Sequence, residues 1–272
     1  MAGPFVRAAM AALEHAHSHA SGKEPIDLAQ VVISLDHMHK ALADAVEDRL
    51  LQSNPADVAH RLPTDRPEMQ VWSSNQIRSF LRHVSDDRLF AMWRLAATTG
   101  MRRGELLGLR WVDLDLDGAT LSVSQTRIKG QHGAEYGRPK TRKGRRVLAL
   151  DPTTVASLRM HRVKQHSERL SWGPQWSDER LVFTRENGTP LDPDVVSQAF
   201  EKHIRGANLP RIRLHDLRHS YATAALKASV PSKVVSERLG HASVGTTLDI
   251  YSHVLPGMDH DAATRIAGII DS

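Results

Sequence analysis

Apolar residues recur three or four positions apart over most of the chain after residue 70, which is the spacing of one helical face. The pattern predicts four short helices at the C-terminal end and, before them, helices over about residues 74–84, 88–98, 153–169 and 192–205. Ser73 or Ser74 can cap the first of these helices, and Asp151-Pro152 begins the third. A further short helix is expected between Gly100 and Trp111.

Two stretches alternate apolar and polar residues, which indicates half-buried strands. The first, Leu121–Ser124, follows a turn at Asp117-Gly118. The second, Arg145–Leu150, is expected to place Val147 and Leu148 in the core, and a long loop is expected to join the two strands. We therefore predict a mainly α fold with a small antiparallel β-sheet, in the α+β class.

The segment before residue 70 has a different character. Helical spacing is clear over Ile33–Leu51 and stops at Asn54-Pro55, a pair that ends helices. Residues 1–30 show little periodicity, and Pro63–Pro67 is typical of a linker. We therefore expect a poorly ordered start and four regions: a partial helical segment at 1–62, a linker at 63–70, a main domain at 71–257 and a C-terminal helical tail at 258–272.

Composition narrows the class of protein. The 272 residues are 40% hydrophobic and 25% charged, which is typical of a globular protein. There is no cysteine, so neither disulfides nor cysteine-ligated zinc are expected. No uncharged apolar run is long enough to span a membrane. We expect a cytoplasmic protein of bacterial or phage origin.

Positive charge is concentrated after residue 66. The first 66 residues hold six Lys and Arg against nine Asp and Glu, whereas the rest hold 30 against 22. Six cations crowd into the nine residues of Arg138–Arg146. Like charges at this density repel one another unless an anion lies between them, which favours a nucleic acid as partner. A solvated basic loop is the alternative interpretation.

Several residues that suit phosphate chemistry lie in short motifs. They are Arg102 in Thr-Gly-Met-Arg-Arg-Gly-Glu-Leu (99–106), Lys140 in the basic cluster, His215 and Arg218 in His-Asp-Leu-Arg-His (215–219), His241 in Leu-Gly-His (239–241), and Tyr251. Two arginines, a lysine, two histidines and a hydroxyl nucleophile can break and rejoin a phosphodiester without metal. We expect no cofactor, because neither a nucleotide-binding loop nor a carboxylate cluster stands out.

The arginine and the first histidine also have ordinary explanations. Arg102 could pair with Glu105, three residues further on. His215 and His219, four residues apart, could be two zinc ligands, although no third ligand is evident.

The same holds for the last two candidates. His241 could simply follow a helix that Gly240 ends in the left-handed conformation. Tyr251 by itself could be a core residue. Neither Tyr136, in the expected loop, nor Tyr221, in an alanine-rich helix, has a comparable setting.

The order and spacing of the five motifs resemble the tyrosine recombinase (phage integrase) family over about residues 68–257. The resemblance implies six catalytic residues: Arg102, Lys140, His215, Arg218, His241 and Tyr251.

The resemblance also implies roles for these residues. Tyr251 would be the nucleophile, and Glu105 would support Arg102. Lys143 lies close enough in the sequence to be an alternative to Lys140.

The implied protein is a site-specific DNA recombinase that works through a 3′-phosphotyrosyl intermediate without metal or ATP. The implied partners are double-stranded DNA, further copies of the chain in a tetramer on DNA, and possible accessory DNA-bending proteins, in association with the nucleoid. We expect additional DNA contacts from Arg103, Arg138, Arg142, Lys143, Arg145 and Arg146.

The N-terminal part departs from the family pattern. Such recombinases usually carry a helical core-binding (SAM-like) domain ahead of the catalytic domain, and Ile33–Pro55 resembles only the last helix of it. We therefore expect a truncated N-terminal part, with a non-catalytic DNA-binding remnant as the alternative function.

Overall fold

The computed structural model describes residues 28–58, 70–130, 133–137, 144–241, 243–245, 247, 267 and 269–270. The chain divides into two compact units, residues 1–67 and 68–272. In the first unit, helix α1 (Leu28–Glu47) is followed by a 3₁₀ turn at Pro55–Val58.

This turn is fixed to α1 by side chains. The Asn54 Nδ2 atom donates to the His39 carbonyl at 3.1 Å, and His39 Nε2 lies 2.8 Å from Asp57 Oδ1. Helix α1 ends at Glu47, earlier than the expected Leu51, and the turn that follows is stabilised by the Asn54 side chain.

The described part of the second unit contains seven α-helices and five strands. The helices are α2 (Ser74–His83), α3 (Phe90–Thr99), α4 (Arg103–Leu107), α5 (Pro152–Trp172), α6 (Pro193–Gly206), α7 (Leu214–Lys227) and α8 (Ser232–Leu239). The strands are β1 (Leu114–Asp115), β2 (Thr120–Val123), β3 (Thr126–Gly130), β4 (Gly133–Gly137) and β5 (Arg146–Ala149).

The strands form two antiparallel sheets, one of three strands in the order β1-β2-β5 and one of two strands, β3-β4. The predicted α+β class with a small antiparallel sheet is therefore confirmed. Within the described residues, no helix combines the length and apolar character needed to cross a bilayer.

The helix starts follow local capping chemistry. Ser73 Oγ accepts a hydrogen bond from the Gln76 amide, while the Gln76 side chain accepts one from the Ser73 amide. Asp151 Oδ1 accepts from the amide of Thr154 at the start of α5. These contacts satisfy amide groups that have no partner within their own helix, which is why the predicted starts agree with the structure.

An aromatic cluster forms the centre of the core. Trp72, Phe80, Trp93 and Phe200 are all buried, with ring centroids 5.3 Å apart for Trp72 and Phe80 and 5.2 Å apart for Phe80 and Phe200. Since Phe80, Trp93 and Phe200 belong to α2, α3 and α6, the cluster joins three helices. This core provides the rigid support for the segment that follows α3.

Two expectations about the strands were wrong. Leu148 is buried as expected, but Val147 is 67% exposed because successive residues of β5 point to opposite faces. The expected long loop contains the β3-β4 hairpin, so Tyr136 lies on a strand.

Tyr136 links the hairpin to a distant part of the chain. Its Oη donates to Glu179 Oε2 at 2.7 Å and lies 3.3 Å from Arg127 Nη1. Burial and the neighbouring Glu179 carboxylate raise the pKa of Tyr136 to about 12.

The hairpin also packs against α4. A Cβ atom at Gly104 would lie 2.5 Å from Thr126 Oγ1 and 2.6 Å from the Arg127 carbonyl oxygen. Only glycine allows β3 to approach the helix this closely. The hairpin therefore supports the helix that follows Arg102.

Candidate active site

Arg102 stands at the N-terminus of α4, immediately after the turn at Gly100. Its backbone amide donates to Glu105 Oε2 at 2.9 Å, and its Nη1 donates to Oε1 of the same carboxylate at 2.9 Å. The Arg102 side chain is 41% exposed, whereas that of Glu105 is 4% exposed. Glu105 thus holds Arg102 from the protein side and leaves part of the guanidinium open to an anion.

Glu105 has a second cationic partner, Arg146. The Arg146 Nη1 and Nη2 atoms donate to the two carboxylate oxygens at 3.0 and 2.9 Å. Burial by itself would raise the pKa of Glu105, but hydrogen bonds and charges from Arg146 and Arg102 hold that pKa below the usual carboxyl value. The carboxylate is therefore ionised at neutral pH.

Arg218 lies on α7 and is almost completely buried. Its Nη1 donates to the Gly100 carbonyl at 2.8 Å, and its Nη2 donates to the Leu239 carbonyl at 2.6 Å. These carbonyls belong to the C-terminal ends of α3 and α8, where unpaired carbonyls and the helix dipole favour a cation. Arg218 thus joins α3, α7 and α8 close to the start of α4, where Arg102 lies.

Glycines shape both helix ends. Gly100 has φ +64°, and a Cβ atom there would lie 2.6 Å from Tyr221 Cδ1 and 2.7 Å from Leu239 Cδ2. Gly240 has φ 66° and ψ 43°, the left-handed conformation predicted for the end of α8. This turn directs the chain toward His241.

The two histidines share the electrostatic surroundings of both arginines. Burial, together with the positive charges of Arg218 and Arg102, lowers the pKa of His241 to about 4. Burial and the Arg218 charge also lower the pKa of His215, with a smaller effect from Arg102. Both imidazoles are therefore neutral at pH 7. Arg218 links the four residues, since the two carbonyls that it binds lie two residues before Arg102 and two residues before His241.

His241 is further fixed by a hydroxyl group. Its Nδ1 lies 2.8 Å from Oγ1 of the buried Thr247. When Thr247 donates this hydrogen bond, neutral His241 carries its proton on Nε2 and can donate it to a bound oxygen.

His215 packs against the second histidine of its motif. The rings of His215 and His219 are edge to face, 5.1 Å apart between centroids. Burial and the nearby His215 lower the pKa of His219 to about 4. The described residues contain no group of three or more His, Cys, Asp or Glu suited to a metal ion.

Several predicted site residues cannot be placed. Lys140 and Tyr251 lie outside the described residues, as do Arg138, Arg142 and Lys143. Their roles stay predictions.

The remaining predicted DNA contacts differ in their surroundings. Arg145 is exposed. Arg103 donates through Nη1 to the Pro193 carbonyl and to Ser197 Oγ, at 3.0 and 2.6 Å. The Arg146 side chain is only 7% exposed, so the expectation that it binds DNA disagrees with its place inside the protein.

Sequence reasoning missed Arg146 as a partner of Glu105. Arg146 and Leu148 are two residues apart on β5 and point to the same face, toward the protein. The alternation that identified the strand would have placed Arg146 inside.

This arrangement suits a phosphate group. The partly exposed guanidinium of Arg102 can bind anionic oxygens, and two neutral imidazoles can transfer protons. The buried Arg218 adds a second positive charge. Since Glu105 and two helix ends already hold these groups in place, little reorganisation is needed when a negative charge develops.

Comparison with known proteins agrees with these features. The Phage integrase family matches residues 70–257. A protein described as "Tyrosine recombinase XerC-like" from Caldanaerobacter subterraneus is 32% identical over 240 residues, and the ICEBs1 integrase of Bacillus subtilis is 29% identical over 237. The matches cover 82% and 86% of this chain but 61% and 64% of those relatives.

Solved structures show the same fold. The Tn1549 transposon integrase, solved in complex with transposon right end DNA, aligns with a TM-score of 0.70 over 86% of this chain and 78% of that chain, at 21% identity. The XerA recombinase aligns with a TM-score of 0.56 over 97% and 85%, at 22% identity. The chain belongs to the phage integrase family of tyrosine recombinases.

Proposed function

We propose that the protein is a site-specific DNA recombinase that cleaves and rejoins strands through a 3′-phosphotyrosyl intermediate. The observation that carries this proposal is that Arg218, three residues after His215 on α7, binds the carbonyls that lie two residues before Arg102 and two residues before His241. A phosphodiester bound there would have its charge compensated by guanidinium groups without a metal ion.

In the proposed reaction, the Tyr251 oxygen attacks phosphorus. A bond forms between phosphorus and the tyrosine oxygen, and the bond from phosphorus to the 5′-oxygen breaks. The 5′-hydroxyl of another strand can reverse the step and release Tyr251. Because the phosphotyrosyl bond retains the energy of the phosphodiester, no ATP is needed.

Two protons move in each step. His215 is neutral at pH 7 because its pKa is lowered, so it can accept the proton of Tyr251. Lys140 donates a proton to the leaving 5′-oxygen. The Nε2 proton of His241 forms a hydrogen bond to a non-bridging oxygen.

The partner in this proposal is double-stranded DNA. Support comes from the basic charge after residue 66 and from the Tn1549 integrase, which was solved with DNA. We further propose a tetramer on DNA, assisted by DNA-bending proteins at the nucleoid.

The test is relaxation of a supercoiled plasmid in EDTA without ATP, with the parent protein and Tyr251→Phe compared. We expect relaxation by the parent and a protein–DNA adduct that survives denaturing electrophoresis. Tyr251→Phe should bind the plasmid but form no adduct. An adduct in both proteins would exclude Tyr251 as the nucleophile, and a parent that binds the plasmid without relaxing it would contradict the proposed activity.

A further inference from the structure

Arg146 lies where three parts of the active site meet. Its Nη1 and Nη2 bind both oxygens of Glu105, and its Nε donates to the Arg238 carbonyl at 2.6 Å. A further contact joins Nη1 to the Gly144 carbonyl at 3.2 Å. All three guanidinium nitrogens thus have partners inside the protein.

Two of these partners, Glu105 and Arg238, contact or adjoin residues of the proposed reaction. Glu105 holds the amide and the Nη1 atom of Arg102. Arg238 directly precedes Leu239, whose carbonyl binds Arg218, and it lies three residues before His241. Arg146 is also the last cation of the basic cluster that contains Lys140.

The connection between β5 and α8 runs in both directions. Arg146 on β5 binds the main chain of Arg238, and Arg238 Nη2 donates to the Ala149 carbonyl of β5 at 3.2 Å. Arg238 Nε also donates to Tyr221 Oη at 2.6 Å, which extends the connection to α7. One displaced arginine would therefore change the relative positions of a strand and two helices.

We propose that Arg146 is a positioning residue, which orients Arg102 through Glu105 and fixes the segment before His241 through the Arg238 carbonyl. Arginine suits this role because its planar fork meets two carboxylate oxygens while Nε binds a third acceptor. Lysine has one charged nitrogen and cannot form this pattern.

Without Arg146, Glu105 would be a buried carboxylate with Arg102 as its remaining cationic partner. The Arg102 guanidinium would then turn toward Glu105 and away from a bound phosphate. This proposal rests on the proposed recombinase function, but the claim that Arg146 makes no contact with DNA is independent of it.

The experiment measures plasmid relaxation in EDTA and, separately, the salt dependence of binding to a fluorescein-labelled DNA duplex. For Arg146→Met we expect a maximal rate lower by about 100-fold, the effect of misplacing a catalytic group by about 1 Å. The protein concentration at half-maximal rate and the slope of log K against log salt should stay at the parent values, because no phosphate contact is lost.

Arg88→Met is the matched control for a loss of stability. Arg88 binds both oxygens of Glu168 at 2.7 and 2.6 Å and the Thr184 carbonyl at 2.7 Å. It shares no hydrogen-bond partner with those residues of the site that the structure describes. We expect a similar fall in Tm for both variants but a relaxation rate near the parent value for Arg88→Met. Arg145→Met is a second control. It measures how much the slope of log K against log salt changes when an exposed cation next to Arg146 is removed.

For Arg146→Met, a slope of log K against log salt that is smaller by about one, the change for one lost phosphate contact, would overturn the proposal. A relaxation rate near that of the parent would also overturn it. If the parent relaxes no plasmid, the proposed function fails, and the duplex slope alone then decides whether Arg146 touches DNA. If Arg146→Met does not fold, Arg146→Lys replaces it. A reduced rate at an unchanged slope would support the positioning role, and a parent-like rate would refute it.

Discussion

The two site arginines differ in how much of each side chain the protein uses. Arg102 is 41% exposed and is held by one carboxylate, so it has capacity left for a ligand. Arg218 is 3% exposed, and two of its nitrogens bind main-chain carbonyls at helix ends. Its loss would leave buried carbonyl groups without a partner, which destabilises a folded protein.

Alanine variants should therefore separate chemistry from stability. We expect Arg102→Ala to slow covalent adduct formation by a barrier of about 3 kcal/mol, with Tm close to the parent value. Arg218→Ala should reduce both adduct formation and Tm. Thermal unfolding alongside a single-turnover assay measures both quantities, and an equal loss of Tm in the two variants would contradict this distinction.

The sequence gives candidate residues for the chemistry, but it does not show how they are held in place. Arg102 and His215 were recognised from motifs because their neighbours are close in the sequence. Arg146 meets Glu105 across 41 residues, and only the fold brings them together. Val147 is hydrophobic, yet it is exposed because successive residues of β5 point to opposite faces and Leu148 takes the buried one.

At the scale of elements, helix starts are the most predictable features, since capping signals are local. Asp151 illustrates this, because it accepts the Thr154 amide and also pairs with Arg94 Nη2 at 2.9 Å. The β3-β4 hairpin lies in a stretch with little apolar alternation, for which the sequence predicts a long loop.

Removing this cap should weaken the fold. We expect Asp151→Ala to lower the free energy of unfolding by about 1 to 2 kcal/mol, since α5 loses its cap and Arg94 its partner. Asp192→Asn at the start of α6 is the control, because asparagine caps a helix about as well as aspartate. Urea unfolding compares the two, and equal midpoints would argue against the capping role.

The end of α3 gives a second test at this scale. Gly100→Ala would force alanine into positive φ and bring its Cβ against Tyr221 and Leu239. We expect a loss of at least about 1 kcal/mol together with slower strand cleavage, since the Gly100 carbonyl holds Arg218. Gly245→Ala, where a Cβ has ordinary space, should unfold like the parent in urea.

For the whole molecule, buried histidines link stability to pH. Burial lowers the pKa of His161, whose Nε2 lies 2.8 Å from the Val182 carbonyl, and the pKa values of His219 and His241 fall to about 4. The unfolded chain binds protons more readily than the folded one, so these groups favour folding above pH 6.5. Their contribution is lost between pH 6.5 and about 4.

The midpoint of urea unfolding should therefore fall between pH 7.5 and pH 5.5. His161→Gln should show a shallower decline, because glutamine at this buried position takes up no proton. An equally steep decline in this variant would show that His161 does not contribute to the pH dependence.

Over the whole chain, the sequence predicts some segments better than others. Residues 70–257 carry motifs in a fixed order, and the family match covers the same stretch. Residues 1–30 show little helical periodicity, although α1 already begins at Leu28.

Burial and the hydrogen bond to Glu179 affect how one of the three tyrosines, Tyr136, responds to alkaline pH. With a pKa of about 12, Tyr136 stays a neutral phenol where its absorbance would otherwise change. Tyr136 therefore contributes little phenolate absorbance below about pH 11. The hairpin thus removes one source of background from an optical titration of the proposed nucleophile.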